Sequence, residues 1–286
     1  MKIAIYGSRR QEPYSQFIKA LLRNLALSGV ELVMHRKLYA HLTDELGVSL
    51  PGVSVAPAEF ADMGHVDMAV SIGGDGTFLR TAAWVGSTQT PILGINTGHL
   101  GYLAPVAVSE ASAFVTDILE GNYDIEKRAL IAVDAPNITG WPFALNEVVF
   151  SKDDSASMIS ARATLNQAEL AVYKADGLIV ATPTGSTAYN MSAGGPIVQP
   201  SAPVWVFTPI AAHSLGMRPL VVSDDITAQV TVEGRSHSFR LSVDGRSTTM
   251  PMGATVTLRR APFSTLIVQP RDCAFPAVLH NKLMFS

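Results

Sequence analysis

The sequence predicts an α/β domain followed by an all-β domain, and three observations support this fold class. Short apolar runs alternate with amphipathic helical segments through the first third of the chain. After about residue 125 the apolar segments become short and β-branched, with turn residues between them. Of the 286 residues, 48% are hydrophobic and 16% are charged, so the chain can bury a large core. We expect a doubly wound parallel sheet first and a β-sandwich second.

The elements of the first domain follow from their hydrophobic spacing. A strand over residues 3–6 precedes a helix that Ser15 can cap and that Gly29 ends, with its apolar residues on one face. Further strands are predicted over residues 30–34, 66–72 and 91–95. Further helices are predicted through Leu38, Leu42 and Leu46, over residues 77–85, and over residues 109–120 before Gly121. Alternating strands and helices favour a parallel sheet whose ligands bind beyond the carboxyl ends of the strands.

The second domain is predicted from β-branched segments separated by turns such as Glu233-Gly234 and Asp244-Gly245. These segments cover residues 129–133, 147–150, 159–165, 204–207, 226–232, 239–243 and 256–258. Helical periodicity returns only over residues 275–285, which we expect to pack back on the first domain. The predicted division is therefore 1–124 together with 270–286 for the α/β domain, and 125–269 for the β-sandwich.

Composition excludes several classes of protein. A net charge of −3 without a basic run gives no general attraction for nucleic acid or for anionic membranes. No run of 18 apolar residues is present, and the N-terminal apolar stretch is too short for a signal peptide. The single cysteine, Cys273, excludes an internal disulfide framework and a cysteine-based zinc site, and the seven histidines lack metal-ligand spacing. We expect a cytoplasmic protein without a protein-held metal centre.

The most informative motif is Gly-Gly-Asp-Gly-Thr at residues 73–77, directly after the apolar run 66–72. Glycines at the end of a strand let backbone N–H groups approach phosphate oxygens closely, and the N-terminus of the following helix favours the same anion. Asp75 would repel phosphate, so its carboxylate is better explained as a group that handles a proton or a cation beside it. The alternative is a tight strand-to-helix turn in which Asp75 is only a cap.

Two familiar nucleotide motifs are missing. The chain has no Gly-Lys-Ser/Thr ending of a P-loop. The dinucleotide fingerprint fails at its best candidate, because Gly74 and Gly76 are followed by Leu79 instead of a third glycine. A P-loop NTPase and an ordinary Rossmann dehydrogenase are therefore disfavoured.

Two further segments carry candidate binding groups. Residues 176–196 crowd glycines and small hydroxyl side chains around Tyr189, which suits ribose hydroxyls and base edges, with the tyrosine ring able to stack. The alternative for this segment is a loop that merely connects strands. Glu147 could accept hydrogen bonds from two ribose hydroxyls, and Asn146 could contact an adenine edge. Taken alone, however, the Asn146-Glu147 pair is better explained as a surface turn.

In this order, the three segments resemble the NAD kinase family. The first motif is shared with diacylglycerol-type lipid kinases, whereas the long run Asp-Gly-x₄-Thr-Pro-Thr-Gly-Ser-Thr-Ala-Tyr-Asn-x-Ser-x-Gly-Gly-Pro is peculiar to NAD kinases. The resemblance covers nearly the whole chain. It implies transfer of the ATP γ-phosphoryl group to the 2′-hydroxyl of the adenosine ribose of NAD, with Mg²⁺ or another divalent cation as cofactor.

The resemblance also implies the role of individual residues. Asp75 matches the proposed general base, and Gly73, Gly74, Gly76 and Thr77 match the phosphate turn. The adenosine pair matches Asn146 and Glu147. Further NAD contacts are implied at Arg80, Lys174, Asp176, Thr187, Ala188, Tyr189, Asn190, Ser192 and Ala211. Where many members have Gln, this chain has Arg246, which could reach a phosphate instead.

The family is usually dimeric or tetrameric, so the resemblance implies a homo-oligomer. Two other functions stay open at this point. A diacylglycerol-type lipid kinase would share the first motif without the other two. A non-catalytic NAD-binding sensor would retain the NAD-contacting segment within residues 176–196 and have no need of Asp75.

Overall fold

The computed structural model describes residues 1–8, 15–98, 101–153, 157–271, 275–276 and 279–280. The chain divides into two compact units, one formed by residues 1–127 with 265–286 and one by residues 128–264. Strands β7 (Tyr123–Asp134) and β18 (Thr255–Pro270) each begin in one unit and end in the other.

The first unit alternates strands and helices. Its strands are β1 (Lys2–Gly7), β2 (Glu31–Met34), β3 (Val53–Val55), β4 (Met68–Ile72), β5 (Ile92–Asn96) and β6 (Val106–Ala107). Its helices are α1 (Ser15–Leu27), α2 (Arg36–Ala40), α3 (Asp75–Val85) and α4 (Ala111–Glu120). A π-helical turn over His41–Glu45 follows α2, and a 3₁₀ turn covers Phe60–Met63.

These strands form a parallel sheet in the order β3-β2-β1-β4-β5, and β6 pairs with β5. Next to β5 lies the C-terminal end of β18, where Ile267 and Val268 pair in parallel with Ile92 and Leu93. One apolar cluster joins residues of α1, α4 and the sheet, and α3 packs against β1, β4 and β5. The carboxyl ends of β1, β2, β4 and β5 therefore lie at one edge, as expected for parallel neighbours.

The second unit is built from antiparallel strands. They are β8 (Phe143–Ala144), β9 (Glu147–Lys152), β10 (Ile159–Leu165), β11 (Ala168–Ala175), β12 (Gly177–Ala181), β13 (Val204–Ile210), β14 (Leu220–Ser223), β15 (Ala228–Glu233), β16 (Ser238–Val243) and β17 (Arg246–Pro251). A 3₁₀ turn over Thr184–Thr187 and the short helix α5 (Tyr189–Ser192) follow β12.

Two sheets share the core of this unit. One has the order β14-β13-β12-β9-β16-β17, and the other includes β11-β10-β15-β18. Large side chains that are fully buried, among them Trp205, Phe150 and Phe239, join apolar residues from the second sheet in one cluster. This is the packing of a β-sandwich, with alternate residues of each strand facing inward.

The predicted fold class is confirmed, and the differences lie in individual elements. The helix through Leu38, Leu42 and Leu46 is wrong as a single element, because α2 gives way to the π-helical turn. Strands β3, β6, β11, β12, β14 and β17 were not predicted. Gly121 does end α4 in the left-handed conformation. The structure does not describe the Ser15 side chain, so the predicted cap lies outside the described part. Cys273 and most of the predicted helix over 275–285 also lie outside the described residues.

None of the helices within the described residues is both long and apolar enough to cross a membrane.

Candidate functional site

In the first unit, the Gly-Gly-Asp-Gly-Thr motif turns the chain from β4 into α3. Gly73 has a φ of 150°, and a Cβ there would lie 2.5 Å from the Thr77 hydroxyl oxygen, so no other residue fits without strain. The Gly73 N–H donates to the Ile95 carbonyl (2.9 Å), which ties the turn to the end of β5. Gly74 and Gly76 are exposed. The motif therefore presents backbone at the carboxyl edge of the sheet, as predicted.

Asp75 is the first residue of α3, and the structure rules out the alternative that it caps this helix. The N-cap is Gly74, and no side chain caps the helix. The Asp75 carboxylate instead accepts hydrogen bonds from the backbone N–H groups of Tyr102 (2.8 Å) and Leu103 (3.0 Å). A Cβ on Gly101 would collide with this carboxylate. The loop after residue 100 therefore fixes the orientation of the carboxylate.

A cavity of about 750 Å³ lies beside this turn. It is lined by Tyr6, Gly7, Ser8, His35, Lys37, Gly74, Gly76, Thr77, Arg80, Asn96, Thr97 and Gly98. Arg80 donates to the Thr77 hydroxyl (3.1 Å), and the Gly98 N–H donates to the Asn96 side chain (2.7 Å). Burial and the charge of Lys37 lower the pKa of His35, which favours the neutral ring. The positive charge along the cavity comes from Lys37 and Arg80, a suitable lining for a phosphate chain.

In the second unit, Asn146 and Glu147 lie at the start of β9, and the interpretation as a surface turn is wrong. Asn146 is 8% exposed. Within the described residues, neither Asn146 Oδ1 nor Glu147 Oε2 has a hydrogen-bond partner, although both atoms are buried. Buried acceptors without donors are costly, so this pair is suited to a ligand that brings hydroxyl or amino groups.

The backbone around this pair is held from two sides. Thr182 donates its N–H to the Asn146 carbonyl (2.8 Å) and its hydroxyl to the Leu145 carbonyl (2.5 Å). A Cβ on Gly185 would collide with the same Asn146 carbonyl. On the other side, the carboxylate of Asp244 accepts the N–H groups of residues 145, 146 and 147. The Thr-Pro-Thr-Gly segment is therefore more than a connecting loop, since it packs directly on the candidate pair.

The carboxyl groups of this site are electrostatically unusual. Burial, followed by the nearby charge of Asp244, raises the pKa of Glu147 to about 7, against a smaller opposing effect of the Tyr189 N–H. Burial also raises the pKa of Asp244, and its three backbone hydrogen bonds and the Arg246 guanidinium oppose that rise. A carboxyl group that titrates near neutral pH inside a protein is a common feature of functional sites.

The loop after β12 contains the predicted contacts between Thr187 and Ser192, and one buried side chain holds its shape. Asn190 is completely buried, and its amide donates to the carbonyls of Ser186 (3.0 Å) and Pro196 (3.1 Å) and accepts from the Thr208 hydroxyl (2.6 Å). Tyr189 is 45% exposed, so its ring is available for stacking. Thr187 and Ala188 are partly exposed, and Ser192 is exposed.

Lys174, Asp176 and Ala211 lie close together, as strands β11, β12 and β13 meet. The Asp176 N–H donates to the carbonyl of Ile210 (3.0 Å), and the His213 N–H donates to that of Lys174 (2.9 Å). Asp176 forms an ion pair with Lys152 (2.9 Å). Ala211 has a φ of 47°, an unusual conformation for a residue with a Cβ, of the kind that recurs at ligand sites.

Arg246, which the sequence analysis expects could reach a phosphate, contacts protein groups of the second unit. Its guanidinium donates to the Phe143 carbonyl (3.0 Å), and burial lowers its pKa while the charge of Asp244 raises it. The sequence analysis missed Asp244 itself, as well as Gly101 and Thr182. Asp244 was noted only as a turn residue and as the neighbour of Arg246, although the same Asp-Gly dipeptide was the available signal.

Among the described residues, a divalent cation would need oxygen ligands from a bound substrate as well as from the protein. No group of three or more His, Cys, Asp or Glu side chains that could hold a metal ion occurs in the described part of the chain. Mg²⁺ is commonly bound through one or two carboxylates together with substrate phosphates and water. Asp75, beside the exposed glycine turn, fits that smaller role.

Comparison with known proteins gives the family. The N-terminal domain of ATP-NAD kinase matches residues 7–123, and the C-terminal domain of ATP-NAD kinase matches residues 145–269. An NAD kinase from Porphyromonas gingivalis is 43% identical over 287 residues, covering 100% of this chain and 98% of the relative. An NAD kinase from Bacteroides fragilis is 40% identical over 288 residues with the same coverage.

Solved structures show the same fold. The crystal structure of yeast NADH kinase complexed with NADH has a TM-score of 0.88 at 23% identity, covering 100% of this chain and 88% of that chain. An NAD kinase from Archaeoglobus fulgidus in complex with ATP has a TM-score of 0.78 at 23% identity and covers both chains completely. With both family domains matched and relatives of 40% identity or more along its whole length, this chain belongs to the ATP-NAD kinase family.

Proposed function

We propose that this protein is an NAD kinase that transfers the γ-phosphoryl group of ATP to the 2′-hydroxyl of the adenosine ribose of NAD. One observation carries the proposal beyond family membership. The buried acceptors Asn146 Oδ1 and Glu147 Oε2 have no donor within the described residues, and adenosine supplies an amino group and hydroxyls. The related NAD kinases and the ATP and NADH complexes of the structural neighbours support the same substrates.

The first unit handles the phosphoryl donor in this proposal. The exposed glycines of the turn present backbone N–H groups, and Lys37 and Arg80 supply positive charge along the cavity. Phosphoryl transfer depends mainly on positioning and charge neutralisation, because its transition state is loose. Mg²⁺, when bound with the triphosphate, would neutralise part of the charge on the phosphates.

Asp75 is proposed as the general base. As the ribose oxygen forms its bond to the γ-phosphorus, the bond from phosphorus to the β-phosphate oxygen breaks and ADP leaves. The hydroxyl proton passes to the Asp75 carboxylate and from there to solvent. Each carboxylate oxygen has two lone pairs, so the hydrogen bonds from Tyr102 and Leu103 leave room for this proton while they fix the carboxylate in place.

The second unit is proposed to bind the acceptor. Ionised Glu147 accepts hydrogen bonds from ribose hydroxyls, and Asn146 contacts the adenine edge. Tyr189 stacks on a ring, and Thr187, Ala188 and Ser192 line its loop, whose shape Asn190 maintains. Lys174, Asp176 and Ala211 are proposed to contact the rest of the dinucleotide. Arg246 is proposed to act through its charge on Asp244 rather than on a phosphate, because its guanidinium already donates to the Phe143 carbonyl.

We further propose a cytoplasmic homo-oligomer whose functional domains are residues 1–124 with 270–286 and residues 125–269. A single cysteine in the whole sequence supports the compartment. Exposed apolar side chains in and before the edge strand β14 support association: Leu215 is 93% exposed, and Leu220 and Val221 follow it. Sedimentation velocity on the purified protein measures the number of subunits.

The function is tested by incubating the purified protein with NAD, ATP and Mg²⁺ and detecting NADP with an NADP-specific dehydrogenase. We expect NADP formation that requires both ATP and the divalent cation. Parallel reactions with diacylglycerol in place of NAD test the lipid-kinase alternative. A protein that binds NAD but forms no NADP would be a sensor, and that result would overturn the proposal.

A further inference from the structure

The hairpin that joins β16 to β17 holds a carboxylate in an unexpected place. Val243 pairs with Arg246, so Asp244 and Gly245 form a two-residue turn, with φ values of 47° and 77°. An Asp-Gly pair is common in such turns because both positions need positive φ. Turn geometry alone would leave the carboxylate in water. Here it is directed inward, where burial raises its pKa.

The carboxylate of Asp244 collects the backbone N–H groups of three consecutive residues. Oδ2 accepts from Leu145 (2.7 Å), and Oδ1 accepts from Asn146 (2.8 Å) and Glu147 (3.2 Å). The Asp244 N–H in turn donates to the Glu147 carbonyl (3.1 Å). Three donors facing one carboxyl group favour its ionised form, since only an acceptor satisfies them all.

These bonds, with those of Thr182, satisfy backbone N–H and carbonyl groups of the segment that carries Asn146 and Glu147, the side chains proposed to bind NAD. Thr182 donates to the carbonyls of Leu145 and Asn146 on the opposite side. Side chains at consecutive strand positions point in fixed directions once their backbone is fixed. Resting on the proposed function, we propose that Asp244 is the positioning residue for NAD: it holds the Asn146-Glu147 backbone and places its negative charge against Glu147.

The negative charge of Asp244 affects the pH dependence of NAD binding, which a purely structural residue would not do. Among the described residues, the Asp244 carboxylate and the Tyr189 N–H act on the Glu147 carboxyl group, and Arg246 acts on Asp244. Glu147 must be ionised to accept two hydroxyls, so NAD binding should weaken as pH falls through the pKa of Glu147, about 7. Without the charge of Asp244, that pKa is lower and the weakening begins at a lower pH.

The test is Asp244→Asn, measured by steady-state kinetics over pH 5.5–9 with NAD and ATP varied separately. Asparagine tolerates positive φ, so the hairpin can form, but its NH₂ group faces the Leu145 N–H. Because one charge-assisted bond is lost and one donor is left unsatisfied, we expect KM for NAD to rise about tenfold or more, with KM for ATP within about twofold of wild type. The acidic limb of kcat/KM for NAD should move to lower pH.

The matched control is Asp224→Asn, which alters another buried aspartate of the same unit. Asp224 is 2% exposed and accepts from Arg260 (3.1 Å), with no bond to residues 145–147 among those described. We expect this variant to lose thermal stability while its KM for NAD and its acidic limb match those of wild type.

Two results would overturn the inference: an Asp244→Asn enzyme with unchanged KM for NAD, or one whose acidic limb stays in place. Wild-type protein assayed in parallel separates failure of the inference about Asp244 from failure of the proposed function. If wild-type protein forms no NADP, only the proposed function is contradicted. In that case, calorimetric titration with NAD tests Asp244 directly, and equal NAD affinity of the variant and wild type would refute its role.

Discussion

At residue 75, one carboxylate is fixed by two backbone N–H groups and lies beside a turn that can approach phosphate. Asp75→Asn removes the proton acceptor and retains the size of the side chain. General-base assistance is typically worth ~10²–10⁴-fold, so we expect kcat to fall by that factor, with the circular dichroism spectrum unchanged. Initial rates of NADP formation at saturating NAD and ATP measure the loss.

A suitable control for this variant is Asp67→Asn. Asp67 lies just before β4, at the opposite end of that strand from Asp75, and accepts the Lys2 N–H (2.6 Å) and a bond from His65 (3.1 Å). Asp67→Asn removes this carboxylate charge and should leave kcat close to that of wild type. Turnover above about a tenth of wild type in Asp75→Asn would show that another group takes the proton.

Ionised Glu147, the form proposed to bind NAD, is the form that burial in the folded protein disfavours. Its pKa is raised from 4.5 to about 7 in the folded protein, so its stabilising contribution is complete below pH 4.5 and is lost as pH rises through about 7. Glu147→Gln stays neutral at every pH. We therefore expect the variant to be more stable than wild type at pH 8, by roughly 3 kcal/mol at most, and equally stable at pH 4.5.

Urea unfolding of both proteins without ligand, at pH 4.5, 6 and 8, measures this difference. The same variant should bind NAD more weakly, because an amide cannot accept from two hydroxyls through both of its heavy atoms. A stability difference that is the same at all three pH values would mean that Glu147 titrates at its ordinary pKa.

The residues of the site differed in how readily the sequence disclosed them. Asp75 stands inside a motif whose chemistry is local, so its proposed role follows from its neighbours in sequence. Asp244 contacts residues almost one hundred positions earlier in the chain. Its sequence context indicates a hairpin turn and nothing else, so only the pairing of β16 with β9 reveals its partners.

At the scale of elements, the 3₁₀ turn Thr184–Thr187 and the start of β9 depend on each other. Gly185 has no side chain where the Asn146 carbonyl approaches, and its N–H donates to the Thr182 hydroxyl (3.1 Å). Gly185→Ala places a methyl group against the Asn146 backbone carbonyl, which the strand pairing of β9 holds in place. We expect a loss of roughly 1–3 kcal/mol in the free energy of unfolding and a rise in KM for NAD, with little change in KM for ATP.

Thermal unfolding and steady-state kinetics measure these effects, and Gly194→Ala is the comparison. Gly194 has a φ of 84° with nothing within 4 Å of its added Cβ, so its substitution tests backbone strain without a collision. If both glycine variants changed KM for NAD to the same extent, contact with Asn146 would not be the cause.

The elements themselves were predicted where periodicity is strong and missed where it is weak. The buried strands β4 and β5 and the helix α4 stand out as apolar runs with clear ends. Strand β12, Gly177–Ala181, is also fully buried, but it follows β11 after one residue and precedes a hydroxyl-rich segment. Such a short apolar run does not distinguish a strand from the beginning of a loop.

At the scale of the whole molecule, β18 shows that sequence order and structural units do not coincide. Val256 and Leu258 near its start pair with β15 in the second unit, whereas Ile267 and Val268 near its end pair with β5 in the first. The sequence of this strand gives no sign that its two halves stabilise different units. The return of the chain to the first unit was expected only from the residues after 270.

This arrangement predicts that two substitutions in one strand weaken different units. Ile267→Ala removes a fully buried side chain beside β5, and we expect the first unit to lose roughly 2–5 kcal/mol of stability. Val256→Ala, equally buried, should instead weaken the second unit.

Native-state hydrogen exchange resolves the two effects, because amides open in the cooperative unit to which they belong. Ile267→Ala should reduce protection in β4 and β5 but not in β9 and β12, with the reverse for Val256→Ala. Equal loss of protection throughout both units in either variant would mean that the chain opens as one cooperative structure.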